Sequence, residues 1–419
     1  ECILKLNYKR TFLTGLAFMG ISVFWQMYDN IIPLILKFTF GLGETITGVV
    51  MALDNVLALF LLPIFGALSD RYHSRFGKRT PFIVVGTILA VIFIILLPLA
   101  DQSRNFMLFV IALGGVLLSV STYRSPAVAL MPDLTPRPLR SMANAVINLM
   151  GSVGGIIALV LIMFLVPAGD HPNYTTLFYS VAGIMILCVA LLCFTINENK
   201  MAITDKEEEK KEKVHEPMDP AVRRSFLFLL ASVFFWFFAY NATVTAFSRY
   251  AVTVWGFEGG GFAGALLVAY GAAMVTFIPI GHLSSRIGRK KTILIGVLTI
   301  AVAYLLGSLL INPSPIIYGV FVLKGIGWAM INVNSFPMVV EMGKNADTGK
   351  YTGYYYTASM SAQILTPIVS GALLEHVSYY TLFPYACFFA LVAFVTMTQV
   401  KHGDVKPTDV KIENLIHED

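Results

Sequence analysis

Charge is scarce in this sequence. Asp, Glu, Lys and Arg make up 13% of its 419 residues, whereas 57% are hydrophobic. A soluble chain carries roughly a quarter charged residues, so water is excluded as the main solvent. Cysteine is equally sparse: Cys2 lies at one end and Cys188, Cys193 and Cys387 in apolar stretches. No Cys pair has the spacing of a zinc site, and none sits where an oxidised framework would form. Also missing are a nucleophile with its base, a metal-ligand cluster and a phosphate-cradling loop, so the sequence is not that of an enzyme and calls for no cofactor. No basic and aromatic platform for nucleic acid is present. Polarity does not alternate along the apolar stretches, which excludes a membrane barrel. No short apolar core with a cleavage site occurs, so no cleaved leader is expected.

What is abundant is long apolar runs. Twelve are seen, at approximately 11–38, 46–69, 80–100, 105–132, 141–168, 175–197, 225–253, 261–284, 291–312, 315–341, 350–375 and 379–400. Each can cross a hydrocarbon core about 30 Å thick as a helix rising ~1.5 Å per residue. Lipid offers no partner to backbone groups, so helices are the form these runs must take. The expected fold is all-α, with twelve transmembrane helices in two pseudo-symmetric six-helix bundles.

Of the 30 Lys and Arg residues, 25 fall in the N-terminal segment, the alternate loops that follow it and the C-terminal tail, while the opposite loops carry only Arg104. Positive charge is retained on the cytoplasmic side, so both termini are expected there in a multi-pass cell-membrane protein. The net charge of +5 reflects this asymmetry.

The one long polar stretch, with the run Lys206-Glu-Glu-Glu-Lys-Lys-Glu-Lys213, separates two halves and reads as a solvated linker. The expected organisation is an N-terminal bundle over 1–197, a central loop over 198–224, a C-terminal bundle over 225–400 and a tail over 401–419. The halves echo each other. Gly66-Ala-Leu-Ser-Asp-Arg71 followed by Ser74-Arg-Phe-Gly-Lys-Arg79 recurs as Gly281-His-Leu-Ser-Ser-Arg286 followed by Ile287-Gly-Arg-Lys-Lys291. Trp25 with Tyr28-Asp29-Asn30 is echoed by Trp236 with Tyr240-Asn241, and Asp133 closing the fourth span by Glu341 closing the tenth. Repeated halves are how many secondary transporters are built, because alternate opening of two bundles exposes one site to each side in turn.

The Gly-X-X-X-Asp-Arg loop resembles the signature loop of the major facilitator superfamily. The longer string Ser69-Asp-Arg-Tyr-His-Ser-Arg-Phe-Gly-Lys-Arg-Thr-Pro-Phe82, with Tyr123-Arg-Ser-Pro-Ala-Val-Ala-Leu-Met-Pro-Asp-Leu134, is similar to the sucrose/proton symporter branch of the glycoside-pentoside-hexuronide:cation symporter group. The resemblance implies a cytoplasmic gate formed by Gly66, Asp70, Arg71, Arg75, Gly77, Lys78, Arg79, Asp133, Arg286, Arg289 and Glu341. Physically, Gly66 permits close helix approach, Asp70 suits a helix N-terminus or a cation, and the arginines tie helix ends together. The plainer account, basic residues retained inside, covers Lys78 and Arg79 but not Asp70. Ser285 stands where the second copy would have its acid, so the second gate is expected to be weaker.

Ionisable residues within spans are costly and usually face a cavity or partner. Asp29, Asp54, Arg124, Arg249 and Lys324 are such residues. At ~1.5 Å per residue, Asp29 lies roughly 27 Å and Asp54 roughly 22 Å from the inner end of their spans, with Arg124 roughly 12 Å in and able to reach upward. Asp29, Asp54 and Arg124 are therefore the candidate cation-coupling set, a proton switch in which desolvation favours the neutral acid and arginine favours the ionised one. A static ion pair is the rival account. Arg249 and Lys324 read better as structural. The acid that plant sucrose symporters place in the fourth span aligns with Leu117, so the proton carrier must lie elsewhere. The paired acids of melibiose-type sodium symporters align with Ala58 and Leu62, which favours a proton over sodium.

For a sugar or glycoside, hydroxyls need polar partners and ring faces need aromatics. Trp25, Gln26, Tyr28, Asn30, Tyr123, Tyr240, Asn241, Trp328 and Asn332 supply both; packing is the alternative role for each. Asn144, Asn148 and Gln363 are lesser candidates, and Trp255 fits the outer aromatic belt. A lipid or drug carrier of the same fold, or a non-transporting sensor, are the competing functions. Partners are the bilayer and a small-molecule sugar or glycoside, for a protein expected to be monomeric. Asn173-Tyr-Thr175 is a glycosylation pattern only in a eukaryotic secretory route.

Overall fold

The computed structural model describes residues 6–135, 140–201, 219–342 and 348–404. Every regular element among them is helical. Eleven helices are long and apolar enough to cross a membrane, and the pair Tyr8–Thr14 (α1) and Leu16–Thr39, bent by 43°, makes a twelfth. That span comprises α2 (Leu16–Leu34), with Pro33 inside it, and a wider π turn over Ile35–Thr39. The loss of proline's backbone donor accommodates such a local change.

The next helices are α3 (Glu44–Arg71), α4 (Thr80–Gln102), α5 (Phe106–Asp133), α6 (Arg140–Leu165), α7 (Thr175–Thr195) and the short α8 (Glu198–Met201). Then come α9 (Pro220–Thr245), α10 (Phe247–Val254), α11 (Ala263–Ile287), α12 (Arg289–Leu309), α13 (Ile316–Glu341), α14 (Thr348–His376) and α15 (Leu382–Thr398). Their starts are chemically marked. Asn105 caps α5 by accepting from the Leu108 amide at 3.1 Å. Asp219 caps α9 ahead of Pro220 by accepting from the Ala221 amide at 2.8 Å. The seventh run breaks at Ala246 into α9 and α10.

The chain forms two compact units, Glu1–Glu209 with Ala251–Leu267, and Lys210–Tyr250 with Val268–Asp419. Inside the first, α4 packs on α5 and α7, and α2 on α6 and α7. Inside the second, α12 packs on α13 and α15, and α9 on α14 and α15. These are the same neighbours in repeat order, so the repeat seen in two loops extends to the packing of each unit. Small residues set the spacing, as expected for helices associating in lipid. A Cβ on Gly86 would lie 2.5 Å from the Tyr123 ring, and one on Gly327 would lie 2.7 Å from the Gly296 carbonyl.

The segment 251–267 groups with the first unit, although its sequence position lies beyond the central loop. Lys37 at the end of the first span pairs with Glu44 at 3.1 Å and donates to the Thr253 hydroxyl at 3.0 Å. Gly259 and Gly260 sit against backbone carbonyls at the end of α6. Trp255 is buried beside Phe257, with ring centroids 6.2 Å apart, and does not join an exposed belt. Large apolar side chains such as Phe164, Phe194 and Val275 face outward, the pattern of a lipid-facing surface.

Candidate transport site and loop network

In the first unit, α2, α3 and α5 bring the three predicted intramembrane charges together. Asp29, half-buried, lies within electrostatic reach of Asp54 and Arg124, and Asp54, which is buried, also within reach of Arg124. The Tyr28 hydroxyl shares the surroundings of both acids and donates to the Val50 carbonyl at 3.4 Å. Asp54 accepts from Asn55 Nδ2 at 3.0 Å. The Arg124 guanidinium lies over the Trp25 ring at 5.4 Å, and Trp25 meets Tyr28 edge-on at 5.5 Å.

Asn30 is buried one turn above Gln26 and donates to its carbonyl at 2.9 Å and its Oε1 at 3.3 Å. Asn30 Oδ1 and Trp25 Nε1, both buried, have no hydrogen-bond partner among the described residues. Tyr123 is buried where α4 and α5 meet at Gly86 and lines no open space.

In the second unit, Tyr240 of α9 stacks on Trp328 of α13, with centroids 3.8 Å apart at 13°. Asn241 Nδ2 is another buried donor without a partner among the described residues. Asn332 is exposed and makes no described hydrogen bond. Asn334, two positions on, is the buried one, bonded to the Ser284 hydroxyl. Among the lesser candidates, the side chain of Asn144 lies outside the described residues.

The loop between α3 and α4 centres on Arg79. Its buried guanidinium bonds Asp133 at 2.9 Å, the Gly66 carbonyl at 3.3 Å, the Ser69 hydroxyl and Asp70. Lys78 joins Asp133 at 3.1 Å. Arg71 and Arg75 point away, exposed and without an ion pair among the described residues. Two cations at the loop's end, not four along it, hold the acids, because only Lys78 and Arg79 reach the end of α5.

Sequence reasoning missed Glu198, placed by the short helix α8. Its buried carboxylate accepts from the amides of Lys78 at 3.0 Å, Arg79 at 2.9 Å and Thr80 at 2.9 Å, and from the Thr80 hydroxyl at 2.8 Å. These are the otherwise unpartnered amides at the start of α4, where negative charge is favoured. Gly77 precedes them with φ +111°, and a Cβ there would collide with the Glu198 carboxylate. The second unit repeats the device. Gly288, at φ +94°, leads into α12, whose Lys290 amide donates to Asp404 at 3.1 Å. The available signal was the one used for Asp70: an acid immediately after a span on the basic side.

Of the second predicted gate, Arg286 is exposed and Arg289 half-buried, while the side chains of Glu341 and Ser285 lie outside the described residues. Lys290 Nζ reaches the Thr398 carbonyl at 3.1 Å. Cys188 and Cys387 are buried free thiols and Cys193 is exposed and free.

A helical membrane protein with two internally alike units, each tied at a signature loop, is of the transporter class. The chain belongs to the Major Facilitator Superfamily, whose description it matches over residues 11–278 and 260–413. It is 23% identical over 367 residues to an isoprimeverose transporter of Lactiplantibacillus pentosus, covering 81% of this chain and 71% of that one. It is 24% identical over 157 residues to a sucrose transport protein of Arabidopsis thaliana, covering 33% of this chain and 26% of the plant protein. The chain thus spans about a quarter of that protein's length. In fold it resembles the inward-open xylose transporter XylE of E. coli, with a TM-score of 0.70 at 15% identity over 96% of this chain and 97% of that one.

Proposed function

We propose that this protein is a secondary active transporter that carries a sugar or glycoside, of the sucrose or maltose kind, together with a proton. The observation that carries this reading is the pair of buried polar atoms of α2, Trp25 Nε1 and Asn30 Oδ1, that have no partner among the described residues. Buried polar groups are nearly always hydrogen-bonded, so orphans of both donor and acceptor type call for a ligand with hydroxyls. The aromatic rings beside them suit the apolar face of a sugar. The named substrates of the similar proteins, sucrose, isoprimeverose and xylose, belong to the same chemical class.

Coupling is assigned to the α2, α3 and α5 charges. When Asp54 or Asp29 holds the proton, Arg124 has less to pair with and remains over Trp25. Loss of the proton to the cytoplasm restores the attraction of Arg124 to the acid, which moves the cation off the aromatic face and releases the solute. The Arg79 and Glu198 network acts as the cytoplasmic gate, with both termini on that side. A proton fits better than sodium because Ala58 and Leu62 offer no ligands. The protein works as a monomer in this reading.

The test is uptake into proteoliposomes under an imposed pH gradient, with radiolabelled disaccharides, pentosides and hexuronides. Accumulation of at least one, abolished by a protonophore, is expected. No uptake of any glycoside would overturn the reading in favour of a lipid or drug carrier.

A further inference from the structure

Lys324 lies about two turns into α13 and is 3% exposed. Its ammonium lies 4.7 Å from the Tyr240 ring centroid and 5.4 Å from that of Phe321. Among the described residues no carboxylate lies within ion-pair distance of it. Trp328 follows one helical turn later on the same face, stacks on Tyr240, and is braced edge-on by Phe237 at 5.2 Å. Tyr240 and Trp328 each keep part of their surface accessible.

A desolvated ammonium is costly, and neutral aromatic faces offset that cost only in part. Packing alone would be served better by a methionine or leucine of similar length. The second bundle therefore holds a buried lysine amine beside an accessible aromatic platform, and the described side chains leave the negative charge that would balance its protonated form to something else. In a membrane protein such a residue marks a solute or ion path.

We propose that Lys324 anchors a carboxylate of the carried solute, with the Tyr240–Trp328 pair covering the adjoining sugar ring. This rests on the sugar or glycoside reading and narrows it to acidic sugars. The carboxylate would accept charge-assisted hydrogen bonds from an ammonium already stripped of water, so ligand binding supplies the counter-charge that folding did not. A neutral glycoside would leave the ammonium without one and bind more weakly.

The experiment compares matched probes on the purified full chain by tryptophan fluorescence and by counterflow. The probes are methyl glucoside with methyl glucuronide, and maltose with maltobionate. The wild type is expected to bind each acid at least tenfold more tightly than its neutral counterpart, and the methyl ester of the glucuronide is expected to lose that advantage. Lys324→Gln should abolish the preference, and Lys324→Arg should keep part of it. Equal or tighter binding of the neutral probes by the wild type overturns the anchor while leaving the transporter reading intact, and this needs no variant to fold. Unchanged preference in a folded Lys324→Gln protein overturns it as well. Failure of all four probes overturns both readings.

Discussion

Removing the Glu198 carboxylate is the sharpest perturbation of the first unit. It accepts four hydrogen bonds from the start of α4, three of them from backbone amides. A single helix cap contributes about 0.5–2 kcal/mol, and a well-placed charge at a helix end adds up to ~2 kcal/mol. Each buried amide left without a partner costs roughly 1–3 kcal/mol, reduced here because Lys78 is half-exposed and water can reach its amide. Glu198→Ala should therefore destabilise the first unit by about 3–5 kcal/mol, and Glu198→Gln, which keeps one acceptor oxygen, by about 1–2 kcal/mol. At ~2–4 °C per kcal/mol for a unit of this size, the alanine variant should lose roughly 6–20 °C in apparent melting temperature. The assay is thermal inactivation of detergent-solubilised protein followed by size exclusion at one fixed heating rate, since membrane proteins unfold irreversibly. A loss within 1 °C of wild type, or glutamine falling below alanine, would refute the capping argument.

Further outcomes follow from the same geometry. Gly77→Ala should destabilise by more than ~1 kcal/mol, because φ is positive there and the new Cβ meets Glu198; combined with Glu198→Ala the two losses should be less than additive in the same melts. Arg79→Gln should cost about 1–3 kcal/mol by removing the guanidinium's bonds to Asp70, Ser69 and the Gly66 carbonyl while Lys78 stays on Asp133, whereas Arg71→Gln and Arg75→Gln should stay within ~0.5 kcal/mol. Asp54→Asn should abolish proton-driven accumulation and leave counterflow active; unchanged accumulation would remove Asp54 from the coupling set and transfer the role to Asp29.

Much of the architecture is legible in the sequence. A run of about 20 apolar residues has one fate in lipid, so span number and position could be read directly, and helix ends differed mainly where a cap extended them, as at Asp219 before α9. The Gly66 and Gly281 loops revealed the repeat because a motif copied at the same place in each half survives in the linear sequence. Asp29, Asp54 and Arg124 stood out because charge in an apolar run is conspicuous whatever surrounds it.

What the sequence alone determined is thus the set of features dictated by solvent and by local period: membrane helices, two halves, and the rare charges within them. What only the tertiary structure decided is partnership. It chose Arg79 over Arg71 and Arg75 as the hub, buried Asn334 and exposed Asn332, and brought Glu198 back over 118 positions to Thr80. It also left Lys324 against aromatic rings without a described acid. Hydropathy is a property of each residue and its near neighbours. A hydrogen bond or ion pair depends on which distant helix ends meet, and packing at positions such as Gly86 and Gly327 settles that.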